Sequence, residues 1–157
     1  SFISLGYLRM EVWRICKQKH QDTPFSGEGG LYASGRWHPK GFPIVYTASS
    51  LALATLEVFV HTESNQIPLV AIRAYFSDDL LIETVRTEDL PANWQEVSAY
   101  PSLQQIGRQW LQANRTPILK VPSSIVPVEF NYLLNPRHPD LKLSLDPPMA
   151  FKFDRRM

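Results

Sequence analysis

Arg36, Tyr46 and Glu57 stand ten and eleven residues apart in the stretch SGRWHPKGFPIVYTASSLALATLEVFVH, Ser34–His61. A guanidinium, a phenol and a carboxylate therefore fall on three consecutive elements, with the Pro/Gly-rich turn HPKGFP between the first two. Arginine suits phosphate recognition, because its planar fork donates two parallel hydrogen bonds to an oxyanion. Tyrosine brings an apolar body that stacks and a hydroxyl that donates. A carboxylate taken out of water needs a cation or donors to meet it. Facing a cleft, Glu57 would hydrogen-bond a substrate hydroxyl or stabilise a developing positive charge.

Each residue also has a plainer reading. Ser50, Ala54, Glu57 and His61 are spaced four, three and four apart, one stripe of a helix, and such stripes usually face solvent. Arg36, within Gly35-Arg36-Trp37, equally suits a surface strand residue covering Trp37, and Tyr46 taken alone suits a core. Arg14, between Trp13 and Ile15, is a second candidate guanidinium that reads more readily as structural. Ser123 and Ser124 lie at a strand end and can serve as polar site groups, although no GxSxG elbow surrounds them. The glycines of GEGGLYASG, Gly27–Gly35, match neither the GxGxxG nor the GxxxxGK[ST] spacing and read as a flexible loop. His20, His38, His61 and His138 share no metal-ligand spacing with one another or with Cys16, so no metal site is expected. No helix-turn-helix or RNA-binding signature is present.

The elements that must position these groups are short. Each of the thirteen prolines disfavours helix at the residue before it. Strand-like runs cover Glu11–Cys16, Leu31–Trp37, Ile44–Ala48, Pro68–Phe76, Leu80–Val85, Pro117–Val121 and Val126–Leu134. Pro68–Phe76 is apolar on both faces and so central. A helix is expected from about Leu51 to His61, with Ser49 or Ser50 supplying its N-cap oxygen. A second runs over Ser102–Ala113, with Leu103, Ile106 and Trp110 on one face and Asn114 as its stop. Gln18–Gly30 reads as a loop and NPRHP, Asn135–Pro139, as a turn. Leu141/Leu143/Leu145 and Phe151/Phe153 suggest two last strands. About eight short strands with two or three helices, unevenly interleaved, favour an α+β fold with largely antiparallel pairing over a doubly wound parallel sheet.

A length of 157 residues, 44% apolar and 20% charged, indicates one domain with a real core. The net charge of +1 offers no excess for nucleic acid or an anionic membrane. One cysteine rules out an internal disulfide framework and fits a reducing compartment such as the cytoplasm. No apolar run reaches the length of a membrane span. SFISLGYLR lacks the features of a secretory leader and reads as an extension, residues 1–9, before a single domain over 10–157.

The string GRWHPKGFPIVYTASSLALATLEVFVH, followed by VPSSIVPVEFNYLLNPRHP over Val121–Pro139, closely resembles the RES-domain family. Its members are toxins of bacterial RES–Xre type II toxin–antitoxin modules. The resemblance spans most of Trp13–Phe153 and is weakest over Glu83–Arg115. The Arg, Glu and Ser that name the family fall on Arg36, Glu57 and Ser123, with Tyr46 as the usual fourth.

That resemblance implies an ADP-ribosyltransferase-like fold and a site that consumes NAD+ as substrate, without a metal. It places Arg36 on the pyrophosphate, with Arg14 as a helper, and Tyr46 against the nicotinamide-ribose half. Glu57 would bind the ribose hydroxyls and favour the oxocarbenium-like sugar that forms as the nicotinamide bond breaks. Ser123 would donate to the amide or ribose, with Asn131 and Asn135 behind. The acceptor is water, inorganic phosphate or a protein. The implied partner is a DNA-binding Xre-type antitoxin encoded beside the toxin, which supplies the DNA contact. A homo-oligomer is compatible with this reading. From a different class, the alternative is a non-catalytic binding module in which Arg36 and Glu57 form a structural ion pair.

Overall fold

A computed structural model describes residues 9–59 and 67–153. In chain order the elements are β1 (Arg9–Lys17), the one-turn helix α1 (Gly29–Tyr32), β2 (Val45–Ala48), α2 (Leu51–Phe59), β3 (Leu69–Ser77), β4 (Ile82–Thr84), α3 (Tyr100–Ala113), β5 (Ile118–Pro122), β6 (Phe130–Leu134), β7 (Ser144–Leu145) and β8 (Met149–Phe151). Short 3-10 turns occupy Gln18–His20, Thr87–Asp89 and Val97–Ala99. The fold is α+β and mostly antiparallel among the described pairings, with β4 and β5 running parallel. The chain divides into two compact units, residues 1–24, 47–79 and 142–157, and residues 25–46 and 80–141.

In the first unit, β1 and β3 pair along their whole length with Trp13 opposite Arg73. The other edge of β3 takes both β7 and β8, which makes β3 central, as its two-faced apolar sequence requires. Val12, Val70, Ile72, Ala74 and Phe76 share one buried face of this pair. Helix α2 packs on β1. The Ser50 hydroxyl accepts the Leu53 N–H at 3.1 Å, which is the expected N-cap. The described part of α2 ends at Phe59, so its expected continuation to His61 falls outside the described residues. Strand β1 begins at Arg9, one residue inside the stretch read as an extension.

The second unit centres on α3 and the β4-β5-β6 strands. Trp37, Ile44, Trp94, Leu103, Trp110, Leu119, Val121 and Leu133 form its core. Helix α3 stops at Asn114, which takes the left-handed conformation at φ 54° and donates its N–H to the Trp110 carbonyl. A Cβ on Gly107 of α3 would run into the carbonyl of Trp37, so helix and chain meet there as bare backbone.

Two stretches differ from the sequence expectation. Leu31–Trp37 is not an extended run: Gly29–Tyr32 closes one helical turn, with the Ala33 N–H donating to the Gly29 carbonyl. A side chain at position 30 would collide with the Phe42 carbonyl and Ile44, so packing overrides the poor helix propensity of glycine. Val126–Leu134 is strand only from Phe130. Before it, the Ser123 hydroxyl accepts the N–H groups of Ile125 and Val126, each at 3.1 Å, and bends the chain.

Candidate active site

The turn from Gly35 to Tyr46 builds a rigid polar corner in the second unit. The Gly35 N–H donates to the His38 carbonyl at 3.0 Å, and Gln104 of α3 donates its side-chain amide to the Gly35 carbonyl at 2.8 Å. A Cβ on Gly35 would lie 2.6 Å from the Tyr46 hydroxyl and 3.0 Å from the His38 ring, so only glycine fits. Trp37 is buried, and it anchors the turn to the core.

Half-buried Arg36 projects from this turn. Its Nη1 donates to the Trp94 carbonyl at 3.1 Å, and its guanidinium lies over the Tyr100 ring at 4.8 Å. Both partners are neutral. They orient the fork without neutralising its charge, which leaves a directed cation suited to an oxyanion.

The Tyr46 hydroxyl accepts the Trp37 N–H at 3.1 Å and lies 2.7 Å from His38 Nδ1. His38 Nε2 lies 2.9 Å from the Ala33 carbonyl, which can only accept. In the neutral imidazole, which burial favours, Nε2 therefore carries the ring hydrogen, Nδ1 is the acceptor, and the Tyr46 O–H donates to it. Burial lowers the His38 pKa, opposed by the carbonyls of Ala33 and Gly30. Burial also pushes the Tyr46 phenol well above its ordinary value; the Trp37 N–H and Arg36 pull it down, and Tyr100 pushes it up. Tyr46 is thus a neutral phenol tied at its hydroxyl end, and what it can offer a ligand is its ring.

Ser123 is fully buried at the end of β5, its oxygen engaged in the turn described above. Asn131 on β6 pairs with Val121. Asn135 is 3% exposed; it donates to Asn114 Oδ1 at 2.8 Å and accepts the Arg137 N–H at 3.0 Å, fastening the NPRHP turn to the end of α3.

Arg14 and Glu57 belong to the first unit. Arg14 lies on β1, where burial lowers its pKa against the pull of Cys16, and the guanidinium stays charged at neutral pH. Glu57 on α2 is half-buried. Its stripe is not the solvent face of the helix: Ala54 is 5% exposed, whereas Ala52 and Leu56 are the exposed positions.

Arg36 and Tyr46 thus share one corner, with Ser123, Asn131 and Asn135 in the same unit. Sequence reasoning missed His38, Trp94, Tyr100 and Gln104, which hold that corner. His38 was legible in principle, eight residues before Tyr46 across a Pro/Gly turn. Among the described residues no group of three His, Cys, Asp or Glu side chains is placed to hold a metal ion, and no helix is long and apolar enough to cross a membrane.

The chain matches the RES domain family over residues 11–155. It is 35% identical over 151 residues to a Yersinia enterocolitica protein named Toxin Res, covering 94% of this chain and 99% of that one. It is 40% identical over 136 residues to the Prs ADP-ribosylating toxin of a Sphingobium species, covering 83% and 84% of the two chains. The M. tuberculosis MbcT–MbcA toxin–antitoxin complex contains a chain of the same fold, with a TM-score of 0.74 at 16% identity over 93% of this chain and 86% of that one. A match across nearly the whole sequence, with relatives at this level of identity, establishes that the chain belongs to the RES-domain family of toxins.

Proposed function

We propose that this protein is the toxin of a toxin–antitoxin pair and that it acts on NAD+, breaking the bond between nicotinamide and ribose. Residues 10–157 act as one functional domain in this reading. The observation that carries it is the Arg36–Tyr46 corner: a cation aimed by neutral partners, beside an aromatic ring locked at its far end. A pyrophosphate and, one ribose away, a flat nicotinamide ring are what one half of the dinucleotide presents.

Arg36 grips the pyrophosphate and holds the dinucleotide in one pose, assisted by Arg14. The Tyr46 ring lies against the nicotinamide-ribose half. As the glycosidic bond lengthens, positive charge grows on the sugar and the electron pair leaves with nicotinamide. The Glu57 carboxylate binds the ribose hydroxyls and favours that charge. Ser123 donates to the amide or ribose, with Asn131 on the neighbouring strand and Asn135 behind. Water or inorganic phosphate then takes the ADP-ribosyl group. The 40% identity to a toxin named as ADP-ribosylating favours a second acceptor, a protein side chain.

The partner in this reading is an antitoxin, a DNA-binding protein of the Xre type encoded beside the toxin, and the pair works in the cytoplasm. The kinship in fold to a chain from a toxin–antitoxin complex supports such a partner.

The test is a product assay: the protein with NAD+, with and without phosphate, followed for free nicotinamide and for the fate of ADP-ribose. Nicotinamide release that Glu57→Ala lowers about 100-fold or more, at a near-native Tm, is the expected result. Label from NAD+ on a macromolecule selects the protein-modifying reading. No release of nicotinamide returns the protein to the binding-module class, without the Arg36–Glu57 ion pair, since the described partners of Arg36 are a carbonyl and a ring.

A further inference from the structure

We propose that His38 is a positioning residue, which as its Nε2–H tautomer fixes the direction of the Tyr46 hydroxyl and through it the pose of the ring. Its catalytic consequence rests on the NAD+ reading above, whereas the hydrogen-bond chain itself does not.

The geometry is a relay across the turn. Ala33, just beyond α1, accepts from His38 Nε2, and His38 Nδ1 accepts from Tyr46 on β2. The Trp37 N–H donates to the same phenol oxygen from the other side. Two directional bonds at the far end of the ring hold the phenol oxygen in place and with it χ1, and the O–H, which prefers the plane of its own ring, ties χ2 to the direction of His38 Nδ1. The ring centroids of His38 and Tyr46 lie 5.5 Å apart with the planes tilted at 52°, so the two rings pack against each other.

Protonating His38 reverses one bond of the relay. Nδ1 then carries a hydrogen aimed at an oxygen that already receives the Trp37 N–H, and the phenol hydrogen must swing elsewhere. The charged and titratable groups facing the pair are Arg36 from the same turn and Tyr100 from α3. The carbonyls of Ala33 and Gly30 favour a cation on His38. Burial of the imidazole opposes that cation and outweighs them.

Two substitutions separate positioning from bulk. His38→Asn keeps an acceptor near the place of Nδ1 and cannot titrate; His38→Leu keeps volume and has no acceptor. We expect nicotinamide release by the native protein to fall in mild acid, His38→Asn to keep most activity without that acid limb, and His38→Leu to lose about tenfold at every pH. In a Tyr46→Phe background His38→Leu adds nothing further, because the group it positions is gone. Nitrogen NMR of the native protein at neutral pH shows Nδ1 of His38 without a hydrogen. A hydrogen on Nδ1, an unchanged acid limb in His38→Asn, or a full further loss in the double variant overturns the proposal. If the native protein releases no nicotinamide, the activity reading fails, and the His38 tautomer alone decides the positioning.

Discussion

Two arginines, one in each unit, contrast a guanidinium matched by carboxylates with one held by neutral groups. Arg73 of the first unit donates Nε to Asp146 at 2.8 Å, lies 3.6 Å from Glu11, and stacks near Trp13 and Tyr75. Tyr75 donates to the same Asp146 oxygen, and Trp13 to Glu11. Hydrogen bonding to Asp146 raises the Arg73 pKa, and the same bond holds the Asp146 carboxyl below the ordinary carboxylate range. Arg36 of the second unit is held just as firmly, yet its partners among the described residues are a carbonyl and a ring. A guanidinium matched by carboxylates has nothing left for a ligand's phosphate, whereas one oriented by neutral groups keeps its full attraction for it. Partner chemistry separates the two where burial does not.

The sharpest way to break this comparison is to truncate both. Arg36→Ala lowers nicotinamide release about 100-fold or more and shifts Tm by only about 2–4 °C. Arg73→Ala leaves release within about twofold, because its ion pairs are partly open to solvent and lie in the unit without the Arg36–Tyr46 corner. Equal losses in the two variants would dissolve the distinction. Next in size is Gly107→Ala, whose methyl strikes the Trp37 carbonyl. Overpacking of this kind destabilises by about 1–3 kcal/mol. A lower Tm and lower release are expected together, while Gly29→Ala, with open space around it, serves as the tolerated control.

The smallest effects are in pH. The lowered His38 pKa means that the unfolded chain takes up a proton more readily than the folded one, so stability declines as pH falls below about 6.5. The depressed Asp146 pKa gives stability that is present above its ordinary 3.8 and is lost as pH falls further. Melting curves between pH 7 and 2 should therefore show two separate steps. His38→Asn removes the upper step, and Asp146→Asn or high salt removes the shallow lower one.

Much of the frame was legible because its signals are local. Ser50 caps α2, Asn114 ends α3 in the left-handed region, and the alternation in Glu11–Cys16 and the apolar run Pro68–Phe76 became β1 and β3. Gly29–Tyr32 was not legible, since its helical turn depends on Phe42 and Ile44 lying against Gly30. The supports of Arg36 were hidden for the same reason: Trp94 lies 58 residues away in sequence, within the stretch where the family resemblance is weakest. His38 was weighed only as a metal ligand, and its tie to Tyr46 depends on how the intervening turn closes. Asn135 read as a residue behind the dinucleotide, and its described bonds are those of a turn fastener.

The contact at Gly107 has a mechanical meaning. With no side chain between α3 and the Trp37 carbonyl, sliding the helix along its axis would bring the neighbours on the Gly107 face, Leu103 and Gln104 or Trp110 and Leu111, toward that oxygen. Arg36 is addressed to a loop but travels with a fourteen-residue rod, and it inherits the stiffness of that rod.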